Sequence, residues 1–92
     1  MKVRTVPFSL GVALGTPGVL AVVPRDILYE ALNRHARGDW GDLSPKDAAA
    51  NDAALRRGER LLSSYTTPAG VKFWVLTEAD RSATTALLPS EY

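Results

Sequence analysis

Apolar residues recur along the chain at two different spacings, and each predicts a different kind of element. Between Pro24 and Ala36 the spacing is helical: Leu28, Ala31, Leu32 and His35 fall at i, i+3, i+4 and i+7, one buried face. Arg34 and Arg37 sit near the end of that segment, where positive charge suits the helix dipole, and Gly38 is a natural stop. Ser44-Pro45-Lys46-Asp47 opens a further helix with an N-cap serine, a first-turn proline and an early acid. It is predicted to run to Arg57 and stop at Gly58. Its apolar residues are mostly alanine (Ala48, Ala49, Ala50, Ala53, Ala54), with Leu55 the single large one. Such a surface lets another backbone approach closely but buries little area. Thr16-Pro17 is also a cap followed by a first-turn proline, predicting a brief helical turn from Pro17 to Val22.

From Arg60 onward the spacing changes to that of strands. Arg60 to Thr67 alternates and is rich in Ser, Thr and Tyr, and Pro68-Ala69-Gly70 is a turn of hairpin length. Val71 to Thr77 is apolar on both faces apart from Lys72, which predicts a central strand. Glu78-Ala79-Asp80-Arg81 forms a second turn, Ser82 to Leu88 a third strand, and Pro89 stops it. At the other end, Lys2 to Val6 supplies β-branched residues for a short strand that Pro7 closes. The expected class is α+β: a short N-terminal strand and two to three helices packed on a three-stranded antiparallel meander.

Ninety-two residues suffice for one domain, taken as residues 1–92. Eleven Lys and Arg against ten Asp and Glu give a net charge of +1, so strong nucleic-acid binding is not expected. The absence of cysteine excludes disulfides, thiol nucleophiles and Cys-based zinc sites, and the single histidine excludes a multi-His metal site. No cofactor is implied. Lys2 and Arg4 before the uncharged run Thr5–Pro24 imitate a secretory leader, but Pro7, Gly11, Gly15, Pro17 and Gly18 break that run. A folded strand and short helix is the preferred reading, which implies a cytoplasmic protein with no membrane association.

His35 is the natural candidate for a general base, with Asp39 and Asp42 close enough in sequence to orient it. The alternative is a helix-end histidine that is buried and hydrogen-bonded to a carbonyl. Asp39 and Asp42 flank Trp40 in a glycine-bounded loop. Either Trp40 packs beneath the helix–helix connection while both acids cap amides, or it is exposed and anchors a partner. Glu78, Asp80 and Arg81 form either a solvated tip or a recognition loop on a rigid hairpin. Arg56, Arg57 and Arg60 are the densest basic cluster, interrupted by Glu59, and Tyr65, Phe73 and Trp74 are either core or a stacking platform.

The strings Gly38-Asp39-Trp40-Gly41-Asp42-Leu43, Ala50-Asn51-Asp52-Ala53-Ala54-Leu55 and Arg60-Leu61-Leu62-Ser63-Ser64-Tyr65 resemble a family of small bacterial proteins. The likeness continues through Trp74-Val75-Leu76-Thr77-Glu78-Ala79-Asp80-Arg81-Ser82-Ala83-Thr84-Thr85 and ends in Leu87-Leu88-Pro89-Ser90-Glu91-Tyr92. Such proteins are scattered over chromosomes, prophages and plasmids. The resemblance brings no catalytic residues, and its mobile-element setting implies a non-enzymatic, protein-binding inhibitor. The most concrete form is an anti-CRISPR protein that binds a type I CRISPR effector subunit and blocks its DNA binding. Against a basic surface the expected contacts are the acids Asp39, Asp42, Glu78 and Asp80, with Trp40 and Arg81 adding area and hydrogen bonds. The expected assembly state is monomer or weak dimer. The competing expectations are a RelE-like ribonuclease toxin, by analogy of element order alone, and an interaction module with another partner.

Overall fold

The computed structural model describes residues 8–92. Three helices form where the local signals place them. The first, α1 (Pro17–Val22), begins where the Thr16 hydroxyl accepts the Val19 N–H at 3.3 Å. Helix α2 (Arg25–Ala36) carries Asp26 in its first turn and Arg34 in its last, each of these charges matched to the nearer pole of the dipole. Helix α3 (Pro45–Arg57) starts with the Ser44 hydroxyl accepting the Asp47 N–H at 3.1 Å and stops at Gly58, which is left-handed.

The sheet has four strands: β1 (Val12–Gly15), β2 (Leu61–Thr66), β3 (Lys72–Thr77) and β4 (Ala83–Leu87), in the spatial order β1-β4-β3-β2. The expected meander is present, with Leu61 opposite Thr77 and Thr77 opposite Thr84 in antiparallel register. What the sequence did not predict is β1, which pairs in parallel with β4 through Val12–Ala83 and Gly15–Ala86. The sheet is therefore mixed, and β4 is internal rather than terminal. The predicted strand Lys2–Val6 lies outside the described residues.

Strand alternation sorts the side chains onto two faces. Leu61, Ser63, Tyr65, Phe73, Val75, Thr77, Thr84 and Ala86 are all buried on one face. Val19, Val23, Leu28 and Ala31 join Tyr65, Phe73, Val75 and Ala86 in the larger core cluster, while Phe8, Trp40, Ala54 and Leu61 form a second one. Burying a side chain such as Phe73 or Leu61 completely contributes roughly 1.5–3 kcal/mol. On the opposite face Tyr92 meets Trp74 edge-on at 5.7 Å, and Arg60 lies over the Tyr92 ring. A 3-10 turn over Pro89–Glu91 ties the end of β4 to α1. Glu91 accepts from the Thr16 hydroxyl at 2.6 Å and from the Gly18 and Leu88 N–H groups at 3.0 and 2.9 Å.

Candidate interaction surface

The residue types that suggested catalysis are placed inside the protein. His35 has no exposed surface, and its ring sits between Phe8 and Trp40 at centroid distances of 5.4 and 5.5 Å. Its partners are hydroxyls rather than a carbonyl: Ser63 at Nδ1 and Thr77 at Nε2, the latter at 2.8 Å. The network itself determines the tautomer. Thr84 donates its only hydroxyl proton to the Leu10 carbonyl, so the 2.7 Å bond between Thr77 and Thr84 needs Thr77 as donor. The Thr77 oxygen must then accept from Nε2–H, which leaves Nδ1 to accept from Ser63. A neutral imidazole fits this arrangement. Burial, reinforced by the positive charge of Arg81, lowers the His35 pKa from 6.5 to about 4. Ser63 and His35 have the chemistry of a nucleophile and base, but both are sealed, and neither Asp39 nor Asp42 orients the ring.

The Gly38–Leu43 loop is a clasp on the outer edge of β2. Ser64 N–H donates to the Trp40 carbonyl at 3.2 Å, and Asp42 N–H donates to the Ser64 carbonyl at 2.7 Å. At Gly41, with φ +74°, an added Cβ would strike the Ser64 carbonyl, so only glycine permits this approach. Asp39 pairs with Arg34 through two bonds at 2.7 and 3.2 Å and caps Gly41 N–H, and the Arg34 guanidinium holds its carboxyl below the usual range. Tyr65 donates to the Asp39 carbonyl at 2.7 Å, and its burial pushes the phenol up to about 12. Asp42 accepts from the Thr66 hydroxyl at 2.8 Å. Trp40 is 5% exposed and donates through Nε1 to Asp52 at 2.9 Å. That corrects its expected role as a contact residue: its ring supports the second core and leaves no surface for a partner.

Farther along, Asn51 of α3 continues the closure of the same edge. Its side chain donates to the Leu62 carbonyl at 2.6 Å and accepts the Leu62 N–H at 3.3 Å. Sequence reasoning did not single out Asn51, although a polar residue in the middle of an alanine-rich face was a usable signal.

The turn between β3 and β4 is built differently. Arg81 adopts φ 61°, a left-handed conformation rare outside glycine. Its guanidinium donates to the Glu59 carbonyl at 2.6 Å and the Glu78 carbonyl at 3.2 Å, and it lies 5.6 Å over the Phe8 ring. Arg81 is thus a clamp on its own turn, a role the sequence did not suggest, and its side chain stays partly exposed. Asp80 accepts from Ser82 N–H at 3.0 Å, and the hydrogen bonds from Ser82 keep its carboxyl below the usual range. Glu78 and Asp80 remain exposed. Glu59, which precedes β2 and is also exposed, joins them at the same end of the sheet because Leu61 pairs with Thr77. The sequence reading treated Glu59 only as an interruption in a basic cluster.

Tyr65 and Phe73 are buried on the helix-covered face while Trp74 lies on the other, so the three do not form a stacking platform. Among the described residues no group of three or more His, Asp and Glu is placed to hold a metal, and no helix is long and apolar enough to cross a membrane. Compared with known proteins, the chain matches no family model, and no curated protein or solved structure is significantly similar to it.

Proposed function

We propose that this protein acts by binding another protein, and that the turn from Glu78 to Arg81 carries the contact. The observation that supports this reading is the construction of the turn. Arg81 holds the backbone in a strained conformation, at a cost of roughly 1–3 kcal/mol, while Glu78 and Asp80 stay exposed on it. A loop fixed in advance loses little conformational freedom on binding, so more of its contact energy appears as affinity. Exposed carboxylates carried on a fixed backbone suit a basic surface and accelerate encounter with it. Asp39 and Asp42, each already paired within the protein, are the secondary acids of the same reading.

In its most concrete form the reading is an inhibitor made by a mobile element, an anti-CRISPR protein working in the cytoplasm. It covers the basic DNA-binding surface of a type I effector subunit. The resemblance to small proteins of prophages and plasmids supports that choice of partner, and the reading requires neither cofactor nor metal. The test is capture with the tagged protein from nuclease-treated lysate of a strain carrying a type I system, with phage targeting scored in parallel. Retention of an effector subunit and loss of targeting are expected. Targeting left intact with no effector subunit retained sinks the proposal, and RNA cleavage with growth arrest on expression supports the toxin instead.

A further inference from the structure

We infer that β1 is the seam of a symmetric dimer, in which the β1 strands of two copies pair antiparallel about a twofold axis at Leu14. The two edges of the sheet are treated differently. The β2 edge is closed by Asn51 and by the Trp40–Asp42 clasp. The β1 edge is covered by nothing among the described residues, and its sequence Val-Ala-Leu-Gly has none of the charges or prolines that guard exposed edges.

The backbone fixes the register. Val12 and Thr16 N–H groups both donate inward to β4, to the Ser82 and Ala86 carbonyls at 3.0 Å. Residues of a parallel strand alternate between facing their partner and facing away, so the N–H and C=O groups of Ala13 and Gly15 point to the open side. A twofold axis at Leu14 sets Ala13 of one copy opposite Gly15 of the other. All the outward groups of both residues are then satisfied in two hydrogen-bonded pairs. Leu14 meets its own copy in the intervening non-hydrogen-bonded pair, where side chains approach most closely.

The side chains around this edge suit the same partner. Val12 is 61% exposed, Leu14 52%, Leu20 44% and Tyr29 60%, and these are four of the six large apolar side chains exposed among the described residues. Val12 and Leu14 lie on the sheet face away from the helices, whereas Leu20 and Tyr29 flank the same edge on the helix side, in a groove with Leu28 and Leu32. Together the four expose on the order of 400 Å² per copy on the two faces flanking the seam. A standard interface buries about 800 Å² per partner, so these four side chains supply about half of that area and the paired strands and their neighbours the remainder. This proposal is independent of the acidic turn, which lies outside the seam.

Sedimentation equilibrium of the full chain, from about 5 to about 300 µM, tests it. The expected result is a species of twice 9.9 kDa at the upper concentrations. Leu14→Lys and Leu14→Glu, each checked for an unchanged circular dichroism spectrum, are expected to raise the dissociation constant at least ~10-fold, and a 1:1 mixture to restore association. A wild-type chain that stays monomeric throughout overturns the proposal; that outcome also covers an edge occupied by residues 1–7 or by a different protein. Leu14→Lys dimerising as tightly as wild type, or a mixture that fails to associate, overturns the Leu14 axis.

Discussion

Mild acidification is expected to destabilise the fold through His35, well before the carboxylates respond. In the folded protein the imidazole titrates at about 4, against 6.5 when unfolded. Between those values the unfolded chain binds a proton that the folded one excludes. Stability is therefore complete above pH 6.5 and is lost as pH falls through that window, the loss finishing below about 4. Its full size is about 3 kcal/mol, of which about 2 kcal/mol is gone between pH 7.5 and pH 5. Asp39, Asp80 and Glu91 are held low by hydrogen-bonded partners, so their contribution is present above their ordinary values of 3.8, 3.8 and 4.5 and is lost only below them. The interval from pH 7.5 to 5 thus isolates the histidine. Urea unfolding over it should move the midpoint down by about 1–2 M at constant slope. His35→Gln, whatever its absolute stability, should show a much flatter dependence. A wild-type midpoint unchanged between pH 7.5 and 5, or a variant that falls as steeply, refutes the sealed neutral imidazole.

Gly41→Ala should destabilise by at least ~3 kcal/mol in denaturant unfolding, because the added methyl meets the Ser64 carbonyl and the Tyr65 ring. Gly58→Ala, also at positive φ but with open space around it, should lose only about 1–2 kcal/mol. Asn51→Leu should lower stability by about 2–4 kcal/mol, since the Leu62 N–H and C=O both lose their partner. Trp40→Phe keeps ring packing but removes the bond to Asp52, so unfolding should report a loss of about 1 kcal/mol, with partner capture unchanged.

The elements were legible where their cause is local. The cap at Ser44, the proline at 45 and the stop at Gly58 define α3 without reference to the rest of the chain. Strand β1 was not legible, because four residues carry no usable alternation and their partner is β4, about seventy positions away. The polar core was missed for a different reason. Ser63, Thr77 and Thr84 were not assigned to a face, although strand parity puts Ser63 with Leu61 and Tyr65, and Thr77 with Phe73 and Val75. The Gly38–Leu43 string attracted attention as chemistry, yet its acids and its tryptophan mainly hold the β2 edge. On the Glu78–Arg81 turn, the sequence left tip and recognition loop open, and the carbonyl clamp of Arg81 was visible only in three dimensions.

The central claim is that the exposed acids of this turn contact a basic partner surface. Its most direct test is target-DNA binding by a purified type I effector complex, followed by mobility shift as the protein is added. Wild type is expected to abolish DNA binding near stoichiometric addition, while Glu78→Arg/Asp80→Arg leaves it largely intact. Undiminished DNA binding with wild type, or equal inhibition by the charge-reversed protein, contradicts the claim.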